Sequence, residues 1–225
     1  MARVALVTGG SSGIGFAIAR MLRDDDFDVT LASRTAEKLE RAAKKLGAHA
    51  VVTDVSKEDE CERLVTNHRE RFGRLDVLVN CAGVGIAGSI ENTPTRHWDL
   101  QFAVNMRSAF VITRESIPML RETKGLVVNI SSIAGTGAAR GLAAYGAAKA
   151  ALIGFTRSLN AELAEDGVRA TAICPGFVDT PMAAWTGMPS EEMIQPEDCA
   201  EVVRMMLRLS PAARVPQVVI ERRGA

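Results

Sequence analysis

Short apolar runs, rich in β-branched residues, recur along the chain: VALVT at 4–8, DVTLAS at 28–33, AHAVVTDV at 48–55, LDVLVN at 75–80, GLVVNIS at 125–131 and VRATAICP at 168–175. Each predicts a buried strand. The segments between them are longer and carry apolar residues at helical spacing. GIGFAIARMLRDD follows the first run, and TAEKLERAAKKLG follows the second, with Thr35 as its N-cap and Gly47 as its stop. Strand and helix therefore alternate. Alternation requires crossover connections, and right-handed crossovers over a mostly parallel sheet give a doubly wound α/β fold with helices on both faces. A last run, PQVVI at 216–220, predicts a seventh, edge strand that Pro216 can open. The stretch 181–196, rich in Met, Pro and Gly, is expected to be a mobile loop, and PEDCAEVVRMMLRL at 196–209 a helix packing its Val, Met and Leu face on the domain.

Composition narrows the partners. The 225 residues, 47% hydrophobic and 24% charged, suit one domain spanning 1–225, with no internal repeat or linker. The 27 basic and 27 acidic side chains balance, so no overall field draws the chain to nucleic acid or an anionic membrane, and the expected partner is small. The N-terminus runs from Arg3 straight into VALV, which leaves no room for a charged leader and cleavage site, and no apolar run approaches the roughly 18 residues that span a bilayer. Cys61, Cys81, Cys174 and Cys199 are scattered, without CxxC pairs or nearby histidines, so neither zinc nor a disulfide framework is expected, and no metal. A cytoplasmic location fits these thiols. No chemistry falls to His49, His68 or His97, and Cys174 reads as a small core residue rather than a nucleophile.

Two local patterns carry chemistry. TGGSSGIG (residues 8–15) lies where the first strand ends and the first helix begins. Its glycines permit a tight turn, close approach of backbone to phosphate and packing of helix on strand, while the helix N-terminus faces a pyrophosphate. The second pattern holds the only tyrosine of the chain. Tyr145 and Lys149 are four residues apart and share a helix face, so phenol and ammonium stand side by side. A free phenol titrates near ~10, and a neighbouring cation is expected to lower it toward a range useful at neutral pH. Taken alone, the pair reads better as a core tyrosine beside a surface lysine, because YxxxK is short and common.

The spacing TGxxxGxG, together with YxxxK, resembles the short-chain dehydrogenase/reductase family, and the likeness runs from Val4 to about Thr180. It implies a Rossmann-type fold in which Gly9, Ser11, Ser12, Gly13, Ile14 and Gly15 hold the pyrophosphate. Asp54 and Val55 in VTDVS would meet the adenine, and Asn80, Ala82 and Gly83 in NCAG would follow the fourth strand; Cys81 departs from the family's second asparagine and is expected to alter hydrogen bonding there. In CPGFVDTPM, Pro175 and Gly176 would turn the chain beside the nicotinamide, and Val178 and Thr180 would hold its carboxamide. At the end of the second strand a carboxylate would accept from the ribose hydroxyls and repel a 2′-phosphate; Ser33 and Arg34 stand there instead, favouring NADP(H) over NAD(H). Arg34 as a solvated cap of the following helix is the alternative.

Ser132 in NISS precedes Tyr145 by 13 residues, the family's serine spacing, and Asn105 in FAVNMRS falls on the helix of the family's asparagine. Ser131 is the rival serine, expected to be structural because successive residues at a strand end point to opposite faces. The resemblance implies hydride transfer between nicotinamide and a carbonyl or secondary alcohol. Tyr145 would serve as acid or base, Ser132 as hydrogen-bond donor to the carbonyl oxygen. Lys149 would lower the phenol pKa and hold the nicotinamide ribose, and Asn105 would place a relay water.

Met182, Trp185, Met188 and Met193 offer apolar contacts and no charge pair, which favours an apolar or amphipathic carbonyl or alcohol. The C-terminal VPQVVIERRGA lacks the family's glycine- and aspartate-rich tetramer ending, while the alanine-rich helix from Tyr145 suits close packing on a symmetry mate, so a homodimer or homotetramer is expected. Three functions stand: an NADP-dependent carbonyl reductase or alcohol dehydrogenase, favoured by the Asn, Ser, Tyr and Lys together; a 3-oxoacyl-thioester reductase, for which no basic carrier site is evident; and a non-catalytic cofactor sensor or scaffold, which has little use for that quartet.

Overall fold

Seven strands, β1 (Arg3–Thr8), β2 (Phe27–Ser33), β3 (His49–Val52), β4 (Val77–Asn80), β5 (Leu126–Ile130), β6 (Arg169–Pro175) and β7 (Gln217–Ile220), form one sheet in the computed structural model, which describes residues 2–223. Met1 and the closing Gly224 and Ala225 of the VPQVVIERRGA segment lie outside the described residues. The strand order is β3-β2-β1-β4-β5-β6-β7, and every pairing is parallel. From β1 the chain winds outward to β3, then returns to place β4 on the other side of β1. The direction of winding therefore reverses between β1 and β4, where such sheets open a crevice at their carboxyl ends.

Among the described residues seven α-helices cover the sheet: α1 (Gly13–Asp24), α2 (Ala36–Leu46), α3 (Glu58–Phe72), α4 (Thr95–Phe102), α5 (Ser108–Thr123), α6 (Ala143–Glu162) and α7 (Pro196–Arg208). Alternate strand residues feed two apolar cores. Val7, Leu31, Val79, Val128 and Ile173 pack with α1, α2 and α7, whereas Leu6, Ala32, Leu78 and Val127 pack with α3, α5 and α6. Local signals set the helix ends. Gly47 closes α2 in the left-handed conformation (φ 62°), and a reciprocal Gln195–Asp198 capping box with Pro196 opens α7. Among the described residues no helix is long and apolar enough to cross a membrane.

Two expectations are corrected. The third strand stops at Val52, short of 55, because the ladder with β2 ends at Ser33: the Thr53 N–H donates to the Ser33 carbonyl and the Asp54 N–H turns to Glu60 Oε2. Nor is the third strand buried: at the edge of the sheet His49, Ala50 and Val51 are half-buried and Val52 is exposed. A π-helical turn (Ala103–Arg107) separates α4 from α5, a departure frequent at functional sites.

Buried polar groups tie the layers together. Asn80 and Asn129 are register partners on β4 and β5; Asn80 Nδ2 donates to Asn129 Oδ1 (2.8 Å) and Thr113 Oγ1 (3.2 Å), and Asn129 Nδ2 donates to Thr156 Oγ1 (2.9 Å). The fully buried His68 is structural. Its Nε2 faces the Arg74 carbonyl and so carries the proton, leaving Nδ1 to accept from Thr30, and burial pushes its pKa down to about 4.

Candidate active site

The glycine turn closes over the carboxyl ends of β1 and β4. Thr8 Oγ1 accepts from the backbone N–H groups of both Cys81 (3.0 Å) and Ala82 (3.1 Å), which draws the NCAG loop against the turn. Gly9 (φ 68°) then passes so close that a Cβ on it would meet Ala82 N at 3.0 Å. A Cβ on Gly15 would fall 2.5 Å from the Gly9 carbonyl oxygen, so glycine alone lets α1 pack on its own entry turn. Because backbone N–H groups hold the NCAG loop, the loss of a second asparagine at Cys81 leaves it anchored. The Cys81 thiol is pushed up to about 12 by burial and stays protonated.

These features fit a dinucleotide phosphate. Among the described residues no side chain caps the N-terminus of α1, where Ser12 is exposed, and its first turn holds no acid. The N–H groups of that turn are thus directed at the crevice beside Ser11, Ser12 and Ile14. Gly13 (φ 53°) brings the turn against Thr180, whose Cγ2 would lie 2.9 Å from a Cβ there. The CPGFVDTPM segment is held in turn by Gly176 N–H donating to the Ile220 carbonyl (2.9 Å) and by buried Val178, which packs with Ile194 and Cys199. Pro175 ends β6 at the same edge.

At the far end of the crevice, β2 delivers Ser33 and the exposed Arg34. Arg34 makes no ion pair or hydrogen bond among the described residues, so its guanidinium is unspent. Asp54 is engaged locally: its Oδ1 accepts from the Ser56 N–H (3.0 Å) and hydroxyl (2.7 Å). Partial burial raises its carboxyl, while these bonds and the Arg34 charge outweigh that and hold it below the usual carboxylate range. Val55 is buried in the α3 core. Asn80, for its part, spends its amide on the Thr113–Asn129 network on the α5/α6 side of the sheet, where it braces the end of β4.

Ser132, Tyr145, Lys149 and Asn105 meet beyond the β4 and β5 ends. Lys149 is buried on α6 with Nζ donating to the Ile130 carbonyl (2.8 Å) and lying 5.7 Å from the centre of the Tyr145 ring. Ser131 is buried and donates to the Lys149 carbonyl (2.9 Å), pinning α6 to β5; Ser132 is the serine whose hydroxyl contacts the phenol. A Cβ on Gly135 would lie 2.7 Å from Lys149 C, and one on Gly146 2.7 Å from the Ala134 carbonyl oxygen, so these glycines admit the serine turn against α6. Asn105 Nδ2 and Oδ1 pair with the carbonyl (2.8 Å) and N–H (3.0 Å) of Val84. Gly83 separates Asn105 from Lys149: a Cβ there would fall 3.1 Å from Asn105 Oδ1 and 3.5 Å from Nζ, so glycine keeps the space between amide and ammonium open.

The electrostatics differ from the sequence expectation. Burial raises the Tyr145 pKa, the Ser132 contact opposes this, and Lys149 does not lower it. Burial instead pulls Lys149 down to about 8. Desolvation thus outweighs the mutual influence of the two groups.

A sequence profile described as short chain dehydrogenase matches residues 3–188. The chain belongs to the short-chain dehydrogenase family. Its relatives in this family include an uncharacterized oxidoreductase of Staphylococcus aureus (strain MRSA252), 34% identical over 222 residues, covering 97% of this chain and 96% of the relative. Another from Staphylococcus saprophyticus is 35% identical over 225 residues with the same coverage. Among solved structures, an alcohol dehydrogenase of the archaeon Thermococcus sibiricus complexed with 5-hydroxy-NADP superposes with a TM-score of 0.90 at 31% identity, over 98% of this chain and 96% of that one. Actinorhodin polyketide ketoreductase with NADPH gives 0.90 at 32% identity, over 98% and 95%.

The chain is thus a short-chain dehydrogenase and an oxidoreductase. Sequence reasoning passed over Thr8, Asn129 and Gln101, which hold the loops of this short-chain dehydrogenase. Thr8 was visible within the glycine motif. Gln101 offered only the weak signal of an amide four residues before Asn105.

Proposed function

We propose that the protein is an NADP(H)-dependent oxidoreductase transferring hydride between the nicotinamide and a carbonyl or secondary alcohol on an apolar or amphipathic small molecule. The observation that carries this reading is the meeting of Ser132, Tyr145 and Lys149 beside a glycine turn with an uncapped helix N-terminus. The bound cofactor supplies or accepts the hydride. Tyr145 gives its proton to the carbonyl oxygen in reduction and recovers it in oxidation. Ser132 Oγ accepts from the Ala134 N–H (3.2 Å) and keeps its own proton, directed here at the Tyr145 oxygen, to share with an arriving substrate oxygen. An ammonium has three donors and Lys149 spends one on Ile130, which leaves two for ribose hydroxyls. The open space at Gly83 between Lys149 and Asn105 suits the relay water that returns the proton to Tyr145.

Arg34 supports NADP(H) over NAD(H), because it is an unpaired cation at the end of β2 with no carboxylate at Ser33. Arg34→Ala is expected to raise the NADPH Kd on the order of tenfold or more, the scale of a lost charge-assisted hydrogen bond, and to leave NADH within about twofold. Equal weakening of both, measured by fluorescence titration, would remove Arg34 from the 2′-phosphate.

The segment after β6 supports the substrate class. Phe177 and Trp185, both exposed, form an edge-to-face pair with centroids 6.2 Å apart, and Met182 between them in sequence is also exposed. No charged residue joins this pairing, which favours an uncharged substrate. The decisive test is oxidation of NADPH and, separately, NADH with aldehydes, ketones, quinones and 3-oxoacyl thioesters. Turnover of neutral ketones or aldehydes with NADPH is expected; turnover confined to thioesters would favour the second reading, and tight NADPH binding without turnover a cofactor-sensing role. The alanine-rich face of α6 remains the expected contact of a homodimer or homotetramer.

A further inference from the structure

Only one residue of α4 is fully buried, and it is a polar one, Gln101. Its Oε1 accepts from the Ile86 N–H at 2.9 Å. One turn further on, Asn105 pairs with both backbone groups of Val84 at 3.0 and 2.8 Å. Two amide side chains of one helical stretch thus grip the same loop at alternate residues. The lengths agree: four helical residues advance ~6 Å, and two residues of extended chain cover ~6.6 Å. The helix therefore serves segment 84–86 as a neighbouring strand would, running antiparallel to it, with Gln101 opposite Ile86 and Asn105 opposite Val84.

Gly85, between the two grips, turns its side-chain position toward the tyrosine. A Cβ on it would lie 3.6 Å from Cδ2 and Cε2 of Tyr145, which is ordinary van der Waals distance, so glycine leaves a methyl-sized space between the loop and the ring. Resting on the reading of Tyr145 as proton donor, we propose that Gln101 is a positioning residue. It fixes Ile86, and through it Gly85, so that the narrow space beside the Tyr145 ring keeps its width and stays dry where the substrate oxygen arrives.

A purely structural role fits the chemistry of Gln101 poorly. Its Nε2 is buried and has no partner among the described residues. An apolar side chain of the same length would remove that stranded donor but leave the Ile86 N–H without its acceptor. Gln101 is retained for its oxygen.

Because Tyr145 is the only tyrosine of the chain, ring-labelled tyrosine gives a single NMR signal that reports its titration without any assay of turnover. The groups facing the phenol are Lys149 and Ser132 on either side and the protonated Cys81 thiol. In Gln101→Met none of these changes, but the Ile86 N–H loses its acceptor and water gains access to the ring. The Tyr145 pKa is expected to fall toward ~10, its ordinary value, and exchange of the Ile86 amide to quicken at least tenfold while Val84 keeps its protection. Gln101→Glu, which restores an acceptor oxygen, is expected to return both signals toward wild type. Melting temperature is expected to hold or rise, and kcat to drop about tenfold with the NADPH KM within twofold.

An unchanged Tyr145 titration and unchanged Ile86 exchange in a folded Gln101→Met protein would overturn the positioning role. So would a lowered melting temperature with wild-type kcat. The titration and exchange are read on the protein itself, so they decide the question even if wild type turns over no carbonyl, an outcome that defeats the functional reading separately.

Discussion

Tyr145→Phe is expected to lower turnover by about 10²–10⁴-fold, the contribution of one positioned proton donor, with NADPH affinity within about threefold of wild type. The substitution removes one oxygen and leaves the ring that Gly85 faces. Lys149 keeps its bond to the Ile130 carbonyl, and the α1 N-terminus is untouched, so cofactor contacts survive. The pKa direction adds a second readout. With the phenol raised by burial, Tyr145 is protonated across neutral pH and ready to act as an acid. In oxidation the same group must first lose its proton. Reduction in wild type is therefore expected to need no deprotonation at pH 7, while alcohol oxidation climbs with pH toward and beyond ~10. Steady-state rates in both directions between pH 6 and 10 check this, and a phenylalanine variant with full activity would exclude Tyr145 as the proton donor.

The parts of the site that were legible in the sequence are those encoded by local spacing. TGGSSGIG specifies a turn in which Gly15 is demanded by a contact within a few residues, against Gly9, although Gly9 itself also faces the distant loop at Ala82. Tyr145 and Lys149 share a face because α6 is a helix there. Alternating apolar runs disclosed the parallel sheet and its crossovers, since the central strands are covered on both sides and read as continuous apolar sequence.

What escaped the sequence depends on residues far apart in it. Thr8 pairs with amides more than 70 positions away, and the Asn80–Asn129 bond exists only once β4 lies beside β5 in register. The π turn at Asn105 has no composition signal of its own. The direction of the Tyr145 shift also depends on depth of burial rather than on the spacing of phenol and lysine. A phenol and an ammonium four residues apart imply that the cation favours phenolate, yet burial acts on each group separately, and here desolvation is the largest influence on both.

Lys149→Met is expected to abolish most activity and yet stabilise the fold at pH 7. Burial lowers the lysine pKa from its ordinary 10.5 to about 8. Below pH 8 the ammonium is charged in both folded and unfolded chains, and the folded state bears the full cost of keeping it from water, on the order of 3 kcal/mol at 1.36 kcal/mol per unit. Methionine removes that cost and fills a similar volume, but leaves the Ile130 carbonyl without its partner, which returns about 1–3 kcal/mol. The net expectation is a gain of about 1 kcal/mol, or roughly 2–4 °C in Tm for a chain of this size. The pH dependence isolates the cause. As pH rises from 8 toward 10.5 the folded protein sheds the lysine proton before the unfolded chain does, so wild-type stability gains on the variant across that window. Differential scanning calorimetry of both proteins between pH 7 and 10 should therefore show the variant's advantage shrinking. Parallel Tm curves would mean that Lys149 is not a buried charge held at a cost, and the stability given up at this position would need another origin than the two free donors it offers the ribose.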